Sequence, residues 1–355
     1  MEDRRNFYRG CLLGMAVGDA MGCAVDEKTW DEIVQCYGPN GLLGYDLVND
    51  SAWVTSYTQI GAFACNGLLL ALSHDKRNYM KYVSLALREW ARGQAFPRDP
   101  EESHCWVAKL PYMRRKLCRD VRMLDALRTQ SLGRGDGTLP GALPEAVAVG
   151  LLFDARYMEP EQIGTLTADM IALTHGNPET FLSGVVLAYA IAGILQEPED
   201  PMAEQFENGI HAMLAQFGER YPQAERVASL LRSAIEMAQA GEIPLTAMEQ
   251  LQCHTAAECL AGAVYAAVTG QDDFDNAMIV AVNHSGRSCA VGALTGAILG
   301  AVMGESALPD FYLESLEALP MLRELADDLY AGTPAAGIFD DDWDQKYTQG
   351  SPLIS

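Results

Sequence analysis

Several short segments carry side chains able to do chemistry, and each lies where a helical pattern begins or ends. Gly18-Asp19-Ala20-Met21-Gly22, with Asp26 just beyond it, supplies two carboxylates. Val54-Thr55-Ser56-Tyr57-Thr58-Gln59 supplies hydroxyls and a phenol ahead of an apolar run. Gly133-Arg134-Gly135-Asp136-Gly137-Thr138-Leu139-Pro140-Gly141 is too rich in Gly and Pro to be helical, and such a loop can cradle a diphosphate through its N–H groups. Asn283-His284-Ser285-Gly286-Arg287-Ser288-Cys289 sets a guanidinium two residues from a thiol. Asp19, Asp26 and Asp136 are candidate general acids or bases. Cys289, at a helix N-terminus beside Arg287, has the surroundings that depress a thiol pKa, although a neutral buried Cys is the commoner state. Thr174-His175-Gly176-Asn177-Pro178 ends one helix and starts the next, so His175 either meets a ligand or caps a carbonyl.

The elements that must position these groups are helices. Tyr79, Tyr82, Val83, Ala86, Leu87 and Trp90 recur at helical spacing, with Lys81, Arg88 and Glu89 left for solvent. Similar stretches recur near 5–22, 58–73, 104–127, 143–155, 160–174, 178–195, 202–217, 222–240, 254–269, 272–283, 289–304 and 311–330, and alternating β patterns are nearly absent. No long Pro/Ser linker divides the chain, so residues 1–330 read as one helical domain. The segment 331–355, with Asp340, Asp341, Asp342 and Asp344, reads as a peripheral acidic tail rather than a calcium loop, because no ligand spacing supports the loop.

Two of the helices carry Gly every four residues, at 10, 14, 18 and 22 and at 292, 296, 300 and 304. Each interior Gly costs about 1 kcal/mol relative to Ala, which close backbone packing would offset. Mutual antiparallel packing would bring Asp19 and Asp26 to Ser288 and Cys289.

Composition narrows the function classes. Lys and Arg number 25 against 48 Asp and Glu, a net charge of -23, so nucleic acid and anionic membrane surfaces are poor partners. A small ligand in a local pocket, or a basic protein, suits this surface better. The 9 Cys show no metal-ligand spacing and fit a reducing compartment. With no secretory signal at the charged N-terminus, and with apolar runs at 181–195 and 290–303 that read as buried helices, the expected location is the cytoplasm.

Together the motifs resemble those of the ADP-ribosylglycohydrolases. The run from Gly10 through Gly18-Asp19-Ala20-Met21-Gly22 resembles that family's opening helix, and Ala281-Val282-Asn283-His284-Ser285-Gly286 its closing motif. Thr174-His175-Gly176-Asn177-Pro178 and Gly135-Asp136-Gly137 fall in order between them. The resemblance implies an all-α orthogonal multi-helix bundle with a cleft, and hydrolysis of the bond joining ADP-ribose to a protein side chain with two magnesium ions. This chain departs from the pattern at the metal ligands. Thr55-Ser56-Tyr57-Thr58 stands where the family carries Thr/Ser-Asp-Asp-Thr, and Gly286-Arg287-Ser288-Cys289-Ala290 where it carries Gly-Asp-Ser-Asp-Ser/Thr. Pro140 and Gly141 replace the usual Met and Arg. Asp26 alone keeps its charge at the position of an acidic residue after the first motif.

Magnesium requires hard oxygen ligands, and a guanidinium about 4 Å from a divalent ion opposes it by roughly 8 kcal/mol at an effective dielectric of 20. The expectation is therefore no metal and no cofactor. The favoured reading is a pseudoenzyme that binds ADP-ribose, an ADP-ribosylated protein or a related nucleotide. Its ligand contacts would come from Asp19, Asp26, Ser56, Tyr57, Thr58, Gly135, Asp136, Gly137, His175, Asn283, Arg287, Ser288 and Cys289. The alternatives are a rewired metal-independent glycohydrolase using Asp19, Asp26, Asp136 or Cys289, and a scaffold in which Tyr57 and Arg287 close the cleft.

Overall fold

Paired Gly ridges set the centre of the fold. The computed structural model describes residues 4–74, 78–95, 103–129, 137–154, 160–334 and 340–348. Helix α1 (Arg5–Gly22) lies antiparallel against the Gly-ridged helix near the end of the chain, Ser288–Met303. A methyl group on Gly14 would sit 2.1 Å from the Gly296 carbonyl oxygen, and one on Gly18 would sit 1.8 Å from that of Gly292. Gly10 meets Gly300 and Gly304, and Gly22 meets Ser288. The backbones touch directly, with no room for a side chain between them.

The remaining helices pack around this pair. They are α2 (Trp30–Tyr37), α3 (Ser56–Ser73), α4 (Tyr79–Ala95), α5 (Val121–Thr129), α6 (Pro144–Asp154), α7 (Pro160–Ala172), α8 (Pro178–Gln196), α9 (Met202–Phe217) and α10 (Gln223–Ala240). There follow α11 (Pro244–Leu251), α12 (Ala256–Thr269), α13 (Phe274–Val282) and, beyond α14 (Ser288–Met303) of the central pair itself, α15 (Asp310–Ser315), α16 (Leu319–Ala331) and α17 (Asp341–Trp343). Extended pairing among the described residues is limited to isolated bridges, Val48 with Ser51 and Ala52 with Leu316. The all-α class expected from periodicity is what the chain adopts. Helix α8 is long and apolar enough to cross a membrane by length and composition, but its residues from Thr180 to Ala188 are buried in protein, against α6, α7 and α9.

Some elements differ from the periodic reading. Over 104–127 only Val121–Thr129 is α-helical, preceded by two 3₁₀ turns at Trp106–Lys109 and Pro111–Arg114. Gln59 holds this stretch in loop form, its Nε2 donating to the carbonyls of Tyr112 and Arg115 at 3.0 Å each. The stretch 311–330 splits because Leu316 bridges Ala52, and α16 restarts with Pro in its first turn. Helices α2 and α11, of 8 residues each, are too short for periodicity to reveal, although Thr29 and Glu32 form a capping box on α2.

The tail is not peripheral throughout. Residues 340–348 dock on the domain. The Trp343 indole donates to Ser73 Oγ at 2.9 Å, and the buried Tyr347 hydroxyl donates to Asp328 at 2.7 Å. Lys346 holds Glu324 at 2.7 Å, Asp328 at 3.1 Å and Asp342 at 2.6 Å, so one tail acid that read as solvated, Asp342, helps neutralise a buried cation. Asp340 caps α17 through the Asp342 and Trp343 amides.

Glu145, in the first turn of α6, is fully buried, and neither carboxylate oxygen has a hydrogen-bond partner. Burial alone pushes its pKa well above the usual carboxylate range.

Two stability predictions follow from this packing. Gly14→Ala gains about 1 kcal/mol of helix propensity but forces the α1–α14 backbones apart, and should cost roughly 3 kcal/mol net in denaturant titration. An unchanged midpoint would contradict the close contact. Glu145→Leu should stabilise by about 1–3 kcal/mol. As pH rises above about 4.3, unfolded Glu145 releases its proton while the folded one retains it, so the native protein loses stability. The advantage of the variant should therefore grow from pH 4 upward; a variant less stable than the parent would show that the carboxyl has a partner.

Candidate functional site

Asp19 and Asp26 leave α1 in different directions. Asp19, still within the helix, is fully buried and faces the N-terminus of α3. Its Oδ2 accepts from the Thr55 amide at 2.8 Å, the Thr58 amide at 3.1 Å and the Thr58 hydroxyl at 2.6 Å, and its Oδ1 accepts from the Thr55 hydroxyl. Burial pushes the carboxyl up to about 7, against the pull of the Thr55 and Thr58 donors. Asp19 is thus an interhelical cap, its acceptors occupied by the segment that reads as a ligand site.

Asp26 lies beyond a turn, half-buried, and its Oδ1 accepts from the Cys289 amide at 3.0 Å at the start of α14. Burial raises it to about 6, opposed first by that amide and then by Arg287. The expected meeting of the opening and closing motifs therefore occurs through Asp26 and not Asp19. Arg287 pairs at 2.6 Å with Glu27, a residue that the motif reading passed over.

The second motif turns inward. Ser56 Oγ donates to the Cys118 carbonyl at 2.5 Å, and its amide to that of Leu117 at 3.2 Å, pinning the 115–120 segment to α3. Tyr57 is 3% exposed, so its ring presents no face for stacking on a base. Burial, then Asp26 and Cys259, hold its hydroxyl well above the usual range.

Cys289 does not have the depressed pKa expected at a helix N-terminus. It is fully buried, and burial, followed by hydrogen bonds with Cys118 and Cys23, pushes its thiol well above the usual range. The lowered thiol is the half-buried Cys23, hydrogen-bonded by Cys118 and Cys289. Cys118 and Cys289 lie 2.9 Å apart at sulfur, and all three sulfurs are within 4.8 Å of one another.

The other candidates form separate clusters. His175 is buried, with Nε2 2.9 Å from Asp120 Oδ2 and Nδ1 2.9 Å from Thr174 Oγ1. Gly137 packs on its ring and accepts from Thr180 Oγ1 at 3.0 Å. Against its burial, His175 and the Met123 and Arg122 amides pull Asp120 below the usual carboxylate range. Asn283 ties down the 38–42 turn, its Oδ1 accepting from the Leu42 amide at 2.8 Å and its Nδ2 donating to the Leu42 and Ile279 carbonyls at 2.9 and 2.8 Å. Ser288 Oγ donates to the Val282 carbonyl at 2.8 Å. His284 is buried, and burial lowers it to about 4, so it stays neutral. Gly135 and Asp136 lie outside the described residues.

The sequence profile of the ADP-ribosylglycohydrolases matches residues 1–337. This chain belongs to the ADP-ribosylglycohydrolase family. An uncharacterized protein of Archaeoglobus fulgidus is 24% identical over 335 residues, which cover 93% of this chain and 97% of that protein. A solved chain described as an ADP-ribosylglycohydrolase-related protein complex is 22% identical, with a TM-score of 0.59 over 94% of this chain and 100% of that one, which supports the shared all-α fold. Cys23, Glu27, Cys118 and Asp120 escaped the motif reading. Only a cysteine just past the opening motif hinted at the first, and nothing local marked Cys118.

Thiol reactivity tests this geometry. In the folded, reduced protein, alkylation mapped by peptide mass analysis should reach Cys23 at neutral pH and leave Cys289 among the slowest sites. Fast labelling of Cys289 would mean that it is not buried.

Proposed function

We propose that this chain is a non-hydrolysing member of its family, which dispenses with the magnesium pair and binds an ADP-ribose-like group or an ADP-ribosylated protein. The observation that carries this reading is the saturation of Asp19. A fully buried carboxylate that already accepts four hydrogen bonds has little left to offer a hard cation. Ser56 is spent on the Cys118 carbonyl, Tyr57 is buried, and Cys289 offers soft sulfur where an oxygen anion is needed. These residues do not fit a magnesium pair. Without metal there is no Lewis acid and no metal-activated water, which together supply several kcal/mol of transition-state stabilisation.

Binding, by contrast, has a group to work with. The Arg287 side chain is 24% exposed and its Glu27 partner 60% exposed. Such a guanidinium can exchange a surface carboxylate for a diphosphate, held bidentately. The scaffold reading is favoured by one specific observation: Asp19, Thr58, His175, Asn283 and Ser288 are all buried and bonded within the protein. In that reading the acidic surface, not the cleft, meets a basic protein.

Calorimetry with ADP-ribose separates the two readings. Binding to a single site, weakened about 10–100-fold by Arg287→Ala and strengthened by Glu27→Gln, is the result expected here. Absence of binding leaves the scaffold. Magnesium-dependent release of ADP-ribose from an ADP-ribosylated arginine or serine protein would overturn both.

A further inference from the structure

The three thiols that converge beside Asp26 come from distant parts of the chain. Cys23 follows the last turn of α1, Cys118 lies in the loop pinned by Ser56 and Gln59, and Cys289 opens α14. Their sulfurs lie within 4.8 Å of one another. A tetrahedral zinc ion with Zn–S bonds of about 2.3 Å holds its sulfurs about 3.8 Å apart, so the cluster is close to that size. Cys118 and Cys289, at 2.9 Å, would have to open by about 1 Å, within reach of small side-chain rotations.

We propose that Cys23, Cys118 and Cys289 form a three-thiolate binding site for one thiophilic cation of the zinc class, with the fourth position left to solvent. Asp26 stands beside the cluster, its Oδ1 bonded to the Cys289 amide, but its oxygens are not among the atoms that lie within 4.8 Å of one another. Cys23 and Cys118 are half-buried, which leaves an access route, while Cys289 forms the closed side. On binding, each of the three thiols gives its S–H proton to solvent and its sulfur lone pair to the metal. Three thiolates around a divalent ion leave one excess negative charge, and the carboxylate of Asp26 beside them adds a second. Arg287, Arg115 and Lys28 act on the same cluster and offset them. Soft sulfur is the donor that magnesium avoids and zinc accepts, so a new ion class can occupy the junction without restoring the hydrolytic centre. With ligands from three segments the ion would clamp α1, the 115–120 loop and α14 together.

The test uses the full chain, reduced and stripped of metal, titrated with zinc against a chromophoric chelator in the absence of nucleotide. One equivalent should bind, cobalt(II) should give a thiolate-to-metal charge-transfer band, and zinc should raise the melting temperature. Cys23→Ser and Cys118→Ser should each weaken binding by more than the ~100-fold typical of losing an outer-shell partner, and should diminish the cobalt band. Asp26→Asn should weaken binding but keep the band. Cys36→Ser, at an exposed cysteine outside the cluster, should change nothing. Circular dichroism of the metal-free variants separates lost ligands from lost folding. The proposal falls if the reduced protein takes up no zinc, if folded Cys23→Ser and Cys118→Ser bind it like the parent, or if a Cys118–Cys289 disulfide forms readily while the reduced protein ignores the metal. Because no nucleotide is present, none of these outcomes bears on ADP-ribose binding.

Discussion

Everything at the candidate site depends on the backbone contact between α1 and α14. Gly10, Gly14, Gly18 and Gly22 on α1 and Gly292, Gly296 and Gly300 on α14 let carbonyl oxygens of one helix lie where the side chains of the other would be. That contact fixes the rotation and offset of the two helices, and with them the place where Asp26 meets the first free amides of α14. The N-terminus of a helix attracts negative charge through its unpaired N–H groups, so a carboxylate there is favoured even though burial penalises it. The same logic operates at α3, where Asp19 takes up the amides of Thr55 and Thr58. Two helix ends and two carboxylates from one short segment organise the junction.

The side chains Ser56, Tyr57, Arg287 and Cys289 fill that junction. Helix-end donors and two acids meet there. The structure balances them internally, Asp19 by hydroxyls and amides, Asp26 by an amide and Arg287 nearby, and Arg287 by Glu27. Glu27 and Cys118 sit in left-handed backbone conformations, with φ of 59° and 45°. Such conformations cost about 1–3 kcal/mol each and cluster where a side chain must be aimed. Here they aim Glu27 at Arg287 and place Cys118 against the other thiols.

The all-helical class and the α1–α14 contact were legible because Gly at every fourth position of a helix is costly unless backbones meet. The position of Asp26 followed from that contact. Asp19 was misplaced because it precedes the end of α1 and Asp26 follows it, so the turn between them sends the two carboxylates to different helices. The three-thiol cluster was not legible. Residues 23, 118 and 289 share no local spacing, and Cys118 is placed by Gln59 and Ser56 holding an irregular loop whose helical periodicity is misleading. Of the two states open to Cys289 in the sequence, the neutral buried one prevails, because burial outweighs a helix end and a neighbouring cation once the thiol is fully enclosed. The docking of 340–348 was hidden by its acids, one of which, Asp342, pairs with Lys346 of the same segment while Lys346 also reaches Asp328 of α16.

Amide hydrogen exchange at Thr55, Thr58 and Cys289, with and without millimolar magnesium, tests the central claim most directly. These amides donate to Asp19 and Asp26, the two carboxylates of the junction. If the junction is internally satisfied, all three are strongly protected and magnesium leaves their exchange unchanged. A saturable change on adding magnesium, at Thr55 and Thr58 above all, would mean that Asp19 can release its donors for a metal, and the account would be wrong.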